Sequence, residues 1–203
     1  MMPLHQQPHR RWNPLTQQWI LVSPQRTQRP WQGAQESEAE QRAQYDAQCY
    51  LCPGNTRANG EKNPAYTHTF VFTNDYPALL PEHSAQHITA DAALLQASAV
   101  SGECRVLCFS PRHDLTLSGI SIAGLVQVVQ TWCEQTTELS QRYQYVQLFE
   151  NKGSAMGCSN PHPHGQIWAS DFVPNEIAKE TQTQLAYYQM HGRSLLSDYT
   201  QLE

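Results

Sequence analysis

Between Gly157 and Trp168 the chain reads Gly-Cys-Ser-Asn-Pro-His-Pro-His-Gly-Gln-Ile-Trp, which gathers two histidines, a cysteine, a serine and a glutamine beside a glycine-bearing turn. That density of reactive groups points to chemistry at phosphorus: an imidazole can attack, while hydroxyl, amide and backbone N–H groups meet the charge on the non-bridging oxygens. Pro161 and Pro163 fix their own φ and push Asn160 and His162 out of the helical region, so the segment is predicted to be extended. Alternate residues of an extended chain share a face, which places His162, His164 and Gln166 on one side and Pro163 and Gly165 on the other. Gly165, without a Cβ, is expected to admit a backbone or a ligand close behind the second imidazole. Upstream, Asn151-Lys152-Gly153-Ser154-Ala155-Met156-Gly157 carries two glycines that can turn N–H groups toward an anion, and it reads as a phosphate cradle. Taken singly, a His-Pro-His turn with surface histidines and a Gly-x-x-x-Gly loop are ordinary features. Their adjacency favours a reactive site.

A second constellation is Cys49-x-x-Cys52 followed by Pro53-Gly54. Two thiolates on a tight turn can reach one tetrahedral ion at about 2.3 Å each, the shape of a zinc knuckle. The same pair suits a redox couple or two buried thiols equally well. A metal would need two more ligands, for which histidines are the candidates. Cys104, Cys108 and Cys133 stand among apolar neighbours and read as buried small hydrophobes.

These groups need elements to hold them. Residues 1 to 18 are rich in Pro, Gln and His and are expected to run irregularly. Trp19-Ile20-Leu21-Val22 is the first strand signal, ended by Ser23-Pro24. From Gln25 to Gln48 the chain is polar, and Gln32 to Gln44 nearly lacks large apolar side chains, so a long exposed loop is predicted. Thr69-Phe70-Val71-Phe72 gives a second strand, running into the turn-forming Asn74-Asp75-Tyr76-Pro77. Cys104 to Phe109 gives a third, Val146 to Phe149 a fourth, and Gln166 to Ala169 a fifth that continues the histidine segment. Ile122, Leu125, Val126, Val129, Trp132, Cys133, Thr136 and Leu139 recur at steps of three and four and predict an amphipathic helix from about Ser118 to Arg142. Asn175 to Met190, between Pro174 and Gly192, reads as a second, more polar helix. The pattern is that of an α+β fold, a largely antiparallel sheet flanked by one long and one shorter helix. No internal repeat is visible.

Bulk composition narrows the function classes. The 203 residues suffice for one substantial domain with a real core and not for two large ones. A net charge of −5 with a pI near 6.0 lacks the basic footprint of a nucleic-acid binder. Met1 to Asn13 has no apolar core of signal-peptide length, and no run of about 18 apolar residues could span a bilayer. A soluble cytoplasmic protein with no membrane partner is expected. In a compartment that keeps thiols reduced, six cysteines imply metal binding or burial rather than a disulfide framework.

Phe149-Glu150-Asn151-Lys152-Gly153 and the run from Gly157 to Gln166 resemble the active-site signature of the galactose-1-phosphate uridylyltransferases, a family of the histidine-triad superfamily. The resemblance extends to Arg10-Arg11-Trp12-Asn13-Pro14-Leu15-Thr16, Trp19 to Pro24, Arg26, Arg29-Pro30-Trp31-Gln32-Gly33, Cys49-Tyr50-Leu51-Cys52 and Phe70 to Asp75. It implies a histidine-triad-like domain over residues 1–190, with 191–203 starting a linker to a second domain that this chain does not contain. It also implies an activity: exchange of UMP between UDP-glucose and galactose 1-phosphate through a covalent uridylyl-histidine.

By that resemblance His164 is the nucleophile, and Cys158, Ser159 and Gln166 complete the catalytic group. Gly157, Cys158, Ser159, Gln166 and Asn151 attend the phosphates. Asn74 and Asp75 recognise uridine. Arg26 and Arg29 reach the diphosphate from the neighbouring subunit of a homodimer, a task suited to guanidinium groups. Cys49, Cys52, His113 and His162 form a closed Cys2His2 zinc site, structural because no coordination position stays open. Glu180 matches one ligand of an iron site whose three histidines lie in the family's second half, so that site is expected to be missing or empty. Gln166 stands where hydrolytic histidine-triad proteins carry a third histidine, which favours transfer over hydrolysis. The competing readings are a nucleotidyl hydrolase or phosphorylase that uses the same His164, and a zinc-stabilised nucleotide-binding fragment without full transferase activity.

Overall fold

The computed structural model describes residues 3, 6–30, 42–81, 87–89, 94–153, 156–158 and 160–202. Two compact units emerge, one formed by Met1–Glu38 with Val173–Glu203 and the other by Ala39–Phe172.

The larger unit is built on a four-stranded antiparallel sheet. Its strands are β3 (Phe70–Thr73), β6 (Gly102–Cys108), β7 (Tyr145–Phe149) and β8 (His164–Ser170), in the order β3-β6-β8-β7. A separate hairpin pairs β4 (His87–Thr89) with β5 (Gln96–Ser98). Helix α1 (Ile122–Leu139) follows β6; Ser121 caps it, its hydroxyl oxygen accepting from Gly124 N at 3.2 Å.

Period-two alternation gives the sheet two faces with different tasks. Leu107, Ile167 and Ala169 are fully buried and join Phe109, Val128, Leu139 and Tyr143 in the main core under α1. The opposite face carries Val106 and Cys108 into a second cluster with Cys49, Leu51 and Cys52, flanked by Tyr66, Phe70 and Phe72. Register then sets the site: Cys108 pairs with His164 and Val106 with Gln166. Both polar side chains therefore rise from the face that bears the cysteine cluster.

The α+β class with a largely antiparallel sheet stands, and several local expectations are corrected. Helix α1 is shorter at both ends than Ser118–Arg142, because the Ser121 cap and the turn after Leu139 set its limits. Its inward stripe is Leu125, Val128, Trp132 and Leu139, whereas Ile122, Val126 and Val129 are 82%, 48% and 50% exposed. The apolar set contains two rows one residue apart, and only the row facing β6 and β8 finds partners. Cys133 lies on the outer row and is exposed; Cys104 and Cys108 are buried as expected.

Of the two occupants expected behind Gly165, a backbone or a ligand, the structure shows the backbone. A Cβ there would meet the Phe109 ring at 2.7 Å and the Phe149 carbonyl oxygen at 2.9 Å, so core and neighbouring strand occupy that side.

In the smaller unit, residues 9–13 form a strand rather than an irregular segment. β1 (His9–Asn13) pairs with β2 (Gln18–Val22) across a turn in which Asn13 Oδ1 accepts from Leu15 N and Thr16 N at 2.9 and 3.2 Å. The polar His-Arg-Arg composition hid the strand, while Trp12 and Trp19, facing each other edge-on at 5.3 Å, reward the pairing. Helix α2 (Asn175–His191) ends at Gly192, whose φ of 68° closes it in the left-handed region. A further helix, α3 (Leu195–Leu202), follows it. Among the described residues no helix is long and apolar enough to cross a membrane.

Candidate active site and metal centre

The metal-type cluster assembles from three separate stretches of chain. Cys49, Cys52, His113 and His162 are all buried, and their ligand atoms lie within 4.8 Å of one another. Cys52 Sγ is 3.6 Å from His113 Nδ1 and 3.6 Å from His162 Nδ1. The two cysteines sit on a turn closed by Cys52 N donating to the Cys49 carbonyl at 3.1 Å.

The surroundings prepare these atoms for a cation. Leu51 N at 3.4 Å and Asn160 Nδ2 at 3.5 Å approach Cys49 Sγ as donors. His162 Nε2 lies 2.9 Å from the Ser110 carbonyl, which can only accept, so Nε2 carries the proton and Nδ1 presents its lone pair to the cluster. Tyr66 closes this arrangement: its hydroxyl donates to the Leu51 carbonyl at 2.6 Å and stands 3.0 Å from the same Nε2.

Burial, with His113 and then His164 nearby, pulls His162 down to about 4, so its ring is neutral at pH 7. Burial above all, and the neighbouring Cys49, push the Cys52 thiol up to about 11. A thiol this reluctant to ionise alone becomes a thiolate beside a cation, and a Cys2His2 donor set converging on one point could hold a metal ion. Beneath them, burial pushes Cys108 up to about 12.

His164 stands two residues beyond His162, at the first position of β8. Its Nδ1 lies 2.7 Å from the carbonyl oxygen of His162. The carbonyl can only accept, so Nδ1 holds the proton and Nε2 keeps a free lone pair. His164 lines two adjoining cavities, of about 180 and 330 Å³, and Tyr50 and Gln166 line both with it. The smaller is completed by Asn151, Gly157, Cys158, Asn160 and Gly165. Leu51, Ala58, Phe72, Asn74, Asp75 and Val106 are among the walls of the larger.

Gln166 is oriented by its neighbours. Trp168 Nε1 donates to Gln166 Oε1 at 3.1 Å, and Trp168 is itself held edge-on against Phe149 at 5.6 Å. With its oxygen engaged, the amide offers its N–H groups to the cavity. Asn74 Oδ1 accepts from Tyr76 N at 3.0 Å, which fixes the turn that brings Asp75 to the larger cavity.

The glycine loop differs from the expected cradle. Gly153 and Gly157 do take positive φ, 83° and 74°, but Met156 N and Cys158 N both donate back to the Gly153 carbonyl, at 3.1 and 3.2 Å. The Cys158 N–H is therefore spent inside the loop, and its thiol turns to the Asn160 carbonyl at 3.2 Å. Ser159 lies outside the described residues.

Arg26, in the short 3-10 turn Pro24–Gln28, and Arg29, at its end, are exposed, and both belong to the smaller unit together with half-buried Glu180 on α2. Among the described residues Glu180 joins no metal-type cluster. Sequence reasoning missed Tyr50, Asn160, Tyr66 and Trp168. Tyr50 lies between the two cysteines and Asn160 directly precedes the proline-histidine run, which were the signals available.

The family model described as galactose-1-phosphate uridyl transferase, N-terminal domain, matches residues 2–174. A galactose-1-phosphate uridylyltransferase of Haemophilus influenzae is 53% identical over 197 residues, covering 97% of this chain and 56% of its own length. That of Saccharomyces cerevisiae is 45% identical over 209 residues, covering 96% and 57%. Among solved structures, a uridylyltransferase superposes with a TM-score of 0.64 at 26% identity over 96% of this chain and 56% of its own. An ADP-glucose phosphorylase from Arabidopsis thaliana with bound ADP-glucose shares the fold at 0.67 and 22% identity, over 96% and 58%. The chain thus spans a little over half the length of the curated relatives it matches.

Proposed function

The chain belongs to the galactose-1-phosphate uridylyltransferase family, and on that premise we propose that it exchanges UMP between UDP-glucose and galactose 1-phosphate through His164. The His164 Nε2 lone pair attacks the α-phosphorus. The P–O bond to the β-phosphate breaks, and glucose 1-phosphate leaves with the electron pair. A phosphate oxygen of galactose 1-phosphate then attacks the same phosphorus, the P–N bond breaks, and UDP-galactose departs with His164 restored. Since each leaving group is a phosphate or an imidazole, little general-acid help is needed.

The observation that carries this reading is the bond from His164 Nδ1 to the His162 carbonyl at 2.7 Å, which frees Nε2 as nucleophile. Asn74 and Asp75 take the uridine side in the larger cavity. Asn151, Gly157 and the Gln166 amide serve the phosphates in the smaller one, and Cys158 and Ser159 are assigned to the phosphates by family likeness. Arg26 and Arg29 reach the diphosphate from a partner subunit of a homodimer.

Zinc is the ion proposed for Cys49, Cys52, His113 and His162. A tetrahedral ion bonded at about 2.3 Å to sulfur and about 2.0–2.1 Å to nitrogen separates those donors by about 3.6 Å, and both Cys52-to-histidine distances are 3.6 Å. Its role is to anchor His162, and no step passes through it. Glu180 would contribute to the family's iron site only together with residues of a second domain, to which 191–203 would lead. Six free cysteines support a reducing, cytoplasmic setting.

The test is mass spectrometry after incubation with UDP-glucose. One added UMP that maps to His164 is expected, with transfer on addition of galactose 1-phosphate. An unmodified His164 would refute the reading, and UMP released to water without acceptor would favour a hydrolase.

A further inference from the structure

A buried cation stands behind the larger cavity without lining it. Arg57 belongs to the turn closed by the Thr56–Lys62 bridge, just after the Cys49–Cys52 turn. Its side chain is 6% exposed, and its Nε approaches Asp75 Oδ1, in a side chain 8% exposed, at 3.5 Å. Neither atom has a hydrogen bond among the described residues, so the pair is held by charge rather than by aligned donors. The guanidinium lies over the Phe72 ring, Cζ to centroid 4.3 Å, and its Nη2 pairs with Glu61. Arg57 N also donates to the Glu61 carbonyl at 2.8 Å, so backbone and side chain close the same turn.

Phe72, Asp75 and Ala58, the residue after Arg57, all line the cavity. Two wall residues, Phe72 and Asp75, thus meet one guanidinium, and Ala58 is its chain neighbour. A planar cation resting on a ring face is itself held flat, and a buried carboxylate facing it is held in place. Removing the cation would leave the buried Asp75 carboxylate with no facing charge to hold it in place.

We propose that Arg57 is a positioning residue for the nucleoside wall: resting on the Phe72 ring, it presets the Asp75 carboxylate and ties it to the loop that follows the two cysteines. The proposal rests on the nucleotide reading given above, and the ligand chemistry concerned is the nucleoside part of a nucleotide sugar.

The experiment measures calorimetric affinity for UMP, the UDP-glucose dependence of His164 labelling, and metal content for wild type, Arg57→Gln, Arg57→Lys, Asp75→Asn and the double variant Arg57→Gln/Asp75→Asn. In Arg57→Gln we expect half-saturation to rise about tenfold, with the maximal labelling rate within about threefold and metal content unchanged. Lysine keeps the charge but not the planar group that Phe72 holds against Asp75, and should give about threefold. The double variant should bind no worse than Asp75→Asn, because Arg57 acts through that carboxylate.

Wild-type affinity in Arg57→Gln, or multiplied losses in the double variant, overturns the proposal. If Arg57→Gln fails to fold, Arg57→Lys in the Asp75→Asn background carries the test: a threefold loss that persists there refutes it. A wild-type chain that binds no UMP refutes the nucleotide reading itself, and this inference with it.

Discussion

The Nδ1 of His164 rests 2.7 Å from the carbonyl oxygen of His162. One residue therefore acts on the other twice: through its backbone it fixes a tautomer, and through its buried ring it fixes where that backbone lies. His162 is 1% exposed, and its ring is gripped by Cys52, Ser110 and Tyr66. A metal bound at the cluster would rigidify the strand start that carries His164, the proposed nucleophile, without touching substrate.

Loss of the metal-type cluster should then cost both stability and labelling. Cys52→Ser removes a ligand that sits between both histidines. The expected outcome is loss of stoichiometric metal by elemental analysis, a melting temperature lower by at least about 5 °C, and slower UMP transfer to His164. A Cys52→Ser protein that keeps wild-type melting and labelling would show the cluster to be a packing feature only.

Gln166 should act as a donor whose aim depends on Trp168. Gln166→Ala removes the amide and should slow His164 labelling about 100-fold, the usual cost of one preorganised donor. Trp168→Phe keeps the packing on Phe149 but deletes the bond to Gln166 Oε1, and should slow labelling by a smaller factor, about threefold to tenfold. Rapid-quench kinetics separates the two. Equal rates in wild type and Trp168→Phe would mean that the amide needs no such support.

The two prolines, the glycine and the alternation from His162 to Gln166 made the reactive strand legible, because steric limits on φ and period-two geometry are local rules. The coming together of Cys49, Cys52, His113 and His162 was legible only through family likeness, since it joins three distant stretches. The surface row Ile122, Val126 and Val129 on α1 could not be told from the buried row by periodicity alone; pairing across β6 and β8 decides between them. The folding back of Cys158 N on Gly153 was likewise hidden, because spacing identifies a glycine turn and not the partner of its amides.

Gly165 should tolerate no side chain. A Cβ would enter within 2.7 Å of the Phe109 ring and 2.9 Å of the Phe149 carbonyl, and the carbonyl belongs to a paired strand that cannot yield alone. Gly165→Ala is expected to destabilise by about 1–3 kcal/mol in denaturant unfolding and to slow His164 labelling by displacing the adjoining residue. Phe109→Leu added to it should recover part of the stability, and none of the loss due to the carbonyl. A neutral Gly165→Ala would mean that β7 and β8 can separate at this point.

Arg105 links β6 to α1 and should give stability a pH dependence of definite sign. Its Nε donates to Glu103 at 2.6 Å, and its Nη atoms reach Gln135 at 2.6 Å and Glu138 at 2.8 and 3.0 Å. The bond from Arg105 holds the Glu138 carboxyl below its ordinary value of 4.5. A carboxylate held down in the folded state binds protons more weakly there than in the unfolded chain, so its contribution is fully present above pH 4.5 and is lost as the pH falls through the lower folded value. Glu138 is 57% exposed, so solvent screening keeps the effect below about 1 kcal/mol. The urea midpoint of Glu138→Gln should therefore lie slightly below wild type between pH 6 and 8, the gap closing as the solution is taken below about pH 4. A gap that widens on acidification would show that the carboxylate is not stabilised by Arg105 in the folded chain.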